Sequence, residues 1–145
     1  MTLECDAAKN FDGLLKQNQY PGRGIVIGLN KPGTKFIQIY WIMGRSANSQ
    51  NRIFVRQDEL IKTAPFESKN ISHPELIIYT AMRGFGRNHI VSNGDQTDTI
   101  LDVLRAGGSW DLALAARTYE PDAPNFTPRI AGLLKFQPAK ITLVP

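Results

Sequence analysis

Residues 23–29, RGIVIGL, and 35–43, KFIQIYWIM, flank the segment Asn30-Lys31-Pro32-Gly33-Thr34. Both runs are rich in β-branched and aromatic residues, which suit a pleated, half-buried surface, and the segment between them carries turn chemistry. They read as a strand hairpin. Further along, residues 52–56, 76–83 and 89–92 are strand candidates, the first two separated by a polar stretch with Pro65 and Pro74. After Asn93-Gly94 the period changes to helical, through Ile100, Leu101 and Leu104 and then Trp110, Leu112, Ala113, Leu114 and Ala116. Gly107-Gly108 ends the first of these two helices, and Ser109 is placed to cap the second with its hydroxyl. The prolines from Pro121 to Pro128 break the pattern, and 129–136 and 140–144 read as closing strands. On the N-terminal side, Leu3, Ala7, Ala8, Phe11, Leu14 and Leu15 form one face of a short helix that Tyr20-Pro21-Gly22 stops.

Strands are thus grouped rather than alternating with helices, which favours antiparallel pairing in an α+β layered domain over a doubly wound parallel sheet. The 145 residues make one domain, 1–145, of which 1–19 are a helical extension. The last strand runs to Pro145, either as a true terminus or because the chain stops before the domain is complete. With 42% hydrophobic residues, a chain of this size buries enough surface to fold without disulfides or a structural metal. Cys5 is the sole cysteine and His73 and His89 the only histidines, so no disulfide framework and no metal centre are expected. The excess of 17 Lys and Arg over 13 Asp and Glu is too small and dispersed to call for a nucleic-acid partner, and it leaves a small anionic ligand compatible. Glu4 and Asp6 stand where a signal peptide would need a basic patch and an apolar run, and no stretch approaches the roughly 20 apolar residues of a membrane span. The expectation is a cytoplasmic protein with no membrane partner.

Gly22-Arg23-Gly24 and Gly28 superficially suggest a nucleotide loop, but they precede and interrupt a strand, where turns and close packing explain them. Thr2 would be an N-terminal nucleophile if the initiator were removed, yet at the start of an acidic helix it reads as a cap. The run 44–52, GRSANSQNR, offers two guanidinium forks and small polar side chains suited to phosphate or heterocycle recognition; a solvated loop has the same composition. Ser92-Asn93-Gly94-Asp95-Gln96-Thr97-Asp98 hands a strand over to a helix, where it either holds an anion or simply turns and caps. Glu120, Asn125, Thr127 and Arg129 sit in a segment stiffened by three prolines, a preorganised site or a stiff connector. The two histidines belong to no recognisable triad.

Three of these polar segments, in this order, resemble the archaeal-type IMP cyclohydrolases and their bacterial relatives: Gly44-Arg45-Ser46 with Asn51-Arg52, Ser92-Asn93-Gly94 with Thr97-Asp98, and Tyr119-Glu120 with Thr127-Pro128-Arg129-Ile130. The likeness runs from Tyr20 to about Leu133. It implies an αββα sandwich like that of the N-terminal-nucleophile hydrolases, without the autocatalytic nucleophile. It implies dehydrative closure of 5-formamidoimidazole-4-carboxamide ribotide to inosine monophosphate, with a purine ribotide as the small-molecule partner and no metal or organic cofactor; a homo-oligomer is compatible. Carried over residue by residue, Glu120 is the general acid/base, Arg45 stabilises the oxyanion or binds phosphate, and Tyr79 donates a proton to the formyl oxygen. Substrate contacts fall to Arg23, Asn51, Arg52, Ser92, Asn93, Gly94, Thr97, Asp98, Thr127 and Arg129. The chain departs from the family in its 19 residues before Tyr20 and in stopping soon after the Thr-Pro-Arg segment, where the family fold continues. Two other readings stay open: a non-catalytic purine-nucleotide-binding or regulatory module, and an amide hydrolase whose N-terminal nucleophile is Thr2 or an internal residue exposed by processing.

Overall fold

The computed structural model describes residues 3–136 and 141–144, so the expected cap at Thr2 and the start of the last strand at Lys140 lie outside the described residues. In chain order the elements are α1 (Leu3–Asn10), a π-helical turn (Phe11–Lys16), β1 (Arg23–Leu29), β2 (Phe36–Ile42), α2 (Ala47–Gln50), β3 (Ile53–Gln57) and β4 (Leu60–Ala64). A short 3-10 turn (Ser68–Asn70) follows, then α3 (Pro74–Ile77), β5 (Thr80–Phe85), β6 (Asn88–Ser92), α4 (Gln96–Arg105), α5 (Trp110–Ala115), β7 (Ala131–Phe136) and β8 (Ile141–Val144). β1 and β2 form a two-stranded sheet, and β3 to β8 form a six-stranded sheet in sequence order. Every pairing is antiparallel, as the grouping of strands predicts.

The layering is legible in β6. Ile90 and Val91 are consecutive, so their side chains leave opposite faces of the strand, yet both are fully buried. Ile90 packs with Ile100 and Leu101 of α4, Ala113 of α5 and Leu133. Val91 packs with Ala81, Tyr40 of β2 and Tyr79, and Ile25 and Ile27 of β1 close over them. The large sheet therefore carries helices on one face and the hairpin on the other. Gly132 permits the close approach of the hairpin, because a Cβ there would lie 2.6 Å from Ile27 Cδ1 and 3.2 Å from Val91 Cγ1.

Three expectations need correction. The sequence pattern does not predict β4; it returns from β3 through a tight turn in which Asp58 adopts φ 52°, and its Leu60-Ile61-Lys62-Thr63 run lies in a polar stretch. The strand expected over 76–83 begins only at Thr80, because Pro74, with its φ preset and its missing amide at a helix start, opens the short α3 instead. The N-terminal helix forms, and it continues to Lys16 through the π-helical turn, but its apolar positions stay open: Phe11 is 58% and Leu14 66% exposed. The cap at Ser109 is as expected, its hydroxyl accepting from Leu112 N at 3.1 Å, and Gly107 takes the left-handed conformation after α4.

Candidate functional site

The site is assembled where the two sheets meet. Pairing of β4 with β5 slips between Ile61↔Met82 and Lys62↔Thr80, a bulge of the kind that re-aims a side chain at a strand end. Just before β5, Tyr79 is clamped by the buried Thr63. Its amide donates to Thr63 Oγ1 at 2.9 Å, and its carbonyl accepts from Thr63 N at 2.9 Å and from Thr63 Oγ1 at 3.2 Å. The Tyr79 hydroxyl then meets that of Tyr40 at 2.7 Å. Burial pushes both phenols above their ordinary value. At Tyr40 the charge and hydrogen bond of Tyr79 add to the rise, while Arg23 and Arg52 oppose it. At Tyr79 the Tyr40 hydrogen bond, Arg52 and Arg23 pull against burial, and Glu120 adds to it.

Glu120 follows α5 in the proline-rich loop and is buried. Its amide donates to Thr127 O at 3.0 Å, closing the loop on itself. Arg23 Nη1 stands 3.7 Å from Glu120 Oε1. Burial nevertheless raises the Glu120 carboxyl above its ordinary value, against the pull of Arg23, Arg129 and Arg52 and with help from Asp122. Asp122 behaves oppositely. Burial would raise it, but hydrogen bonds from the Thr127 hydroxyl and amide, the latter at 2.7 Å, with its own backbone amide and Arg23, hold it below the usual carboxylate range. Thr127 is thus spent on the loop even though it lines the cleft.

The turn from β6 to α4 is mostly occupied with its own fold. Ser92 and Thr97 are fully buried and their hydroxyls bond each other. Asn93 Oδ1 accepts from Ile130 N and from Gln96 Nε2, both at 2.8 Å, and its Nδ2 donates to Pro128 O at 2.9 Å. Asp98 lies on the helix side of the sheet, 52% exposed, with Arg83 at 3.5 Å and the Thr80 hydroxyl at 3.3 Å, away from the other candidates. Gly94 is the contact point, since a Cβ there would fall 2.7 Å from Gln96 Oε1, 3.0 Å from Arg129 Nη1 and 3.1 Å from Glu120 Oε1. Asp95 caps nothing with its side chain; it bridges Arg117 and Arg129, the latter at 2.7 Å. Arg129 Nη1 also donates to Gln96 Oε1 at 2.6 Å.

The 44–52 run folds as a loop around α2, whose N-terminus is closed by a reciprocal Ser46–Ser49 capping box. Arg52 is held by its Nε–H on Ser49 O at 2.8 Å and belongs to the group around Tyr40, Tyr79 and Glu120. Arg45 is exposed and lies over the Tyr20 ring, with Nε donating to the Tyr20 hydroxyl at 3.3 Å. Asn51 points elsewhere, exchanging hydrogen bonds with the Glu67 backbone at 2.7 and 2.8 Å. Two clefts result. One, of about 220 Å³, is lined by Arg23, Arg45, Arg52, Asn93, Glu120 and Thr127 among others. The second, of about 400 Å³, has Tyr79, Gly94, Arg117, Glu120 and Arg129 in its wall. Both include Leu76 and Glu120, so that carboxyl stands where they adjoin.

The structure therefore brings together Glu120, Tyr79, Arg23, Arg52, Gly94 and Arg129, sets Arg45 at the mouth, and leaves Asn51 and Asp98 outside. Sequence reasoning does not reach Tyr40 or Arg117, and it takes in Asp95 only within the 92–98 run, as part of an anion turn or as a cap. Tyr40 falls on an ordinary strand pattern and so carries no local signal. Among the described residues no group of three or more His, Cys, Asp or Glu could hold a metal ion, and no helix is long and apolar enough to cross a membrane.

Fold and site together define an α+β arrangement of two antiparallel sheets with an arginine-lined cleft around a buried carboxyl at their junction. Residues 20–145 match the family described as IMP cyclohydrolase-like protein, and the chain belongs to that family. It is similar to IMP cyclohydrolases of Methanopyrus kandleri (34% identical over 116 residues, 77% of this chain and 57% of that protein) and Methanocaldococcus jannaschii (33% over 118 residues, 79% and 56%). The protein of the same name from Methanococcus aeolicus is 29% identical over 119 residues, 79% of this chain and 58% of its own length. The chain thus matches somewhat under three-fifths of the length of these relatives.

Proposed function

We propose that the protein is an IMP cyclohydrolase, closing 5-formamidoimidazole-4-carboxamide ribotide to inosine monophosphate with loss of water, as one cyclohydrolase-like domain of αββα type. The observation that carries this reading is the buried Glu120, its carboxyl lifted above the ordinary value by burial, at the meeting of two clefts and within the electrostatic reach of Tyr79, Arg23 and Arg52. A general acid/base works best when its pKa lies near the operating pH. The reading carries with it a cytoplasmic location and a purine ribotide as the small-molecule partner.

In the proposed reaction the carboxamide nitrogen attacks the formyl carbon and gives its proton to ionised Glu120. The formyl C=O π electrons move to oxygen, which takes the Tyr79 proton. The carbinolamine then loses its hydroxyl as water with the proton returned by Glu120, while the former formamido N–H gives its proton to the Tyr79 oxygen and the C=N bond forms. Both side chains end as they began. Arg23 and Arg52 stabilise the charge that passes between Tyr79 and Glu120, a role for fixed cations in a site shielded from water. Arg45, exposed at the mouth, is left for the phosphate.

The test mixes the full chain with the formamido ribotide and follows the purine ultraviolet spectrum. Appearance of inosine monophosphate, cut by about two to four orders of magnitude in kcat by Glu120→Gln, is the expected result. Absence of product from the wild-type chain, with ribotide bound, would favour the non-catalytic nucleotide module. Undiminished turnover by the variant would remove Glu120 from the mechanism.

A further inference from the structure

Tyr40 has no part in that scheme, yet its hydroxyl is enclosed between the hairpin and the large sheet, 8% of the residue being exposed. Among the described residues its hydroxyl has one hydrogen-bond partner, the Tyr79 hydroxyl at 2.7 Å. Two hydroxyls can bond in either sense, and burial decides between them. If Tyr79 donated, the Tyr40 proton would be left buried with no acceptor among the described residues, a costly arrangement. If Tyr40 donates, its proton is satisfied, and the Tyr79 proton is free to turn toward the cleft that Tyr79 lines. The Thr63 clamp fixes the Tyr79 backbone on both its amide and its carbonyl, so the ring cannot drift to another register.

We propose that Tyr40 is a positioning residue for Tyr79: its O–H donates to the Tyr79 oxygen and thereby holds the Tyr79 proton facing the cleft. The proton-transfer consequence rests on the cyclohydrolase reading, whereas the hydrogen bond and its direction do not. When Tyr79 gives up its proton, the same bond stabilises the phenolate left behind. The other charged groups facing the pair are Arg23 at the start of β1, Arg52 before β3 and Glu120 after α5, and Tyr40→Phe leaves all of them in place.

Two measurements on the full chain test this. With 3-fluorotyrosine at position 79, which ionises at lower pH than tyrosine, fluorine NMR follows that ring alone. Its ionisation should move to higher pH in the Tyr40→Phe background, and an unmoved titration overturns the proposal. In turnover of the formamido ribotide, Tyr40→Phe should lower kcat roughly tenfold to a hundredfold with KM within about twofold, and the alkaline limb of the kcat profile should move up. A lost kcat with an unmoved alkaline limb would mark Tyr40 as packing only. The ring is retained, including its edge contact with Phe54 at 5.7 Å. Should the variant not fold, a second 3-fluorotyrosine at position 40, a stronger donor of nearly the same shape with its own fluorine resonance, should lower the titration read at the position-79 fluorine, and an unchanged value overturns the proposal equally. If the wild-type chain shows no turnover, the cyclohydrolase reading fails alone, because the NMR titration still decides the role of Tyr40.

Discussion

Asn93 looks like a ligand reader in sequence and like a staple in the structure, and Asn93→Ala separates the two. The substitution removes three hydrogen bonds: those that Asn93 Oδ1 accepts from Ile130 N and Gln96 Nε2, both at 2.8 Å, and the one that Nδ2 donates to Pro128 O at 2.9 Å. At about 1 kcal/mol net for each, the loss is about 3 kcal/mol, and the Ile130 amide, left without an acceptor in a half-buried place, adds roughly 1 kcal/mol or more. That is a large part of the roughly 5–15 kcal/mol that a domain of this size commands. Urea unfolding followed by circular dichroism should show a lowered midpoint at constant slope. Asn93→Asp keeps the acceptor for Ile130 N and Gln96 Nε2 but sets a buried carboxylate oxygen against Pro128 O, so it should be destabilised at neutral pH and recover in acid, where the protonated carboxyl can donate to that carbonyl. A stability change below about 0.5 kcal/mol in Asn93→Ala, accompanied by a raised KM, would refute the staple and return Asn93 to the ligand.

Arg45→Ala removes an exposed guanidinium at the cleft mouth, and loss of one charge-assisted contact to a phosphate should raise KM roughly 10- to 100-fold with kcat nearly constant. An equal fall in kcat would relocate Arg45 onto the reacting atoms. Glu120 is raised in the fold, so its contribution to stability is present below its ordinary value near 4.5 and is lost as pH rises through the folded value. Glu120→Gln, permanently neutral, should therefore gain stability on wild type at about pH 8 relative to about pH 4 in urea unfolding, and a pH-independent difference would refute this sign. Asp122 is lowered, so its contribution is present above its ordinary value near 3.8 and is lost as pH falls through the folded value. Asp122→Asn should accordingly be less stable than wild type at about pH 7, with the gap closing toward about pH 2; a gap that persists in acid would mean packing rather than charge.

What was legible in sequence is what depends on near neighbours. The β1–β2 hairpin, α4, α5 and the Ser109 cap each declare themselves within a few residues, by alternation, helical period or a hydroxyl before an apolar run. Partners far apart did not. The Tyr40 and Tyr79 hydroxyls meet across 39 positions, and Asp95 turns from a helix cap into a bridge only because Arg117 and Arg129 arrive from 22 and 34 positions away. Ser92 and Thr97 show the converse, since their polar side chains suggest a ligand turn until the fold seals them against each other. Glu120 was legible as a candidate by its place in the resemblance, but its burial was not, because that requires Gly94 to lack a Cβ and Thr127 to fold the loop back.

In the proposed reaction, that burial is what lets one carboxyl serve two steps. Glu120 must be ionised to take a proton from nitrogen, then protonated to release water. A carboxyl near its ordinary value of 4.5 does the first well and the second poorly. Arginine neighbours alone would worsen the imbalance, since Arg23, Arg129 and Arg52 all favour the charged form. Burial outweighs them and moves the group toward the pH at which both protonation states are accessible. A bound ribotide would extend the same shift, because its phosphate adds negative charge and its base excludes water, so the acid form would become more available once the ligand is in place. The loop that imposes this burial is held by the Asn93 staple and the Asp122–Thr127 bonds rather than by its prolines alone. Stability in residues 93 and 122–127 is thus coupled to the proton affinity of residue 120, although none of the first group need touch the reacting atoms.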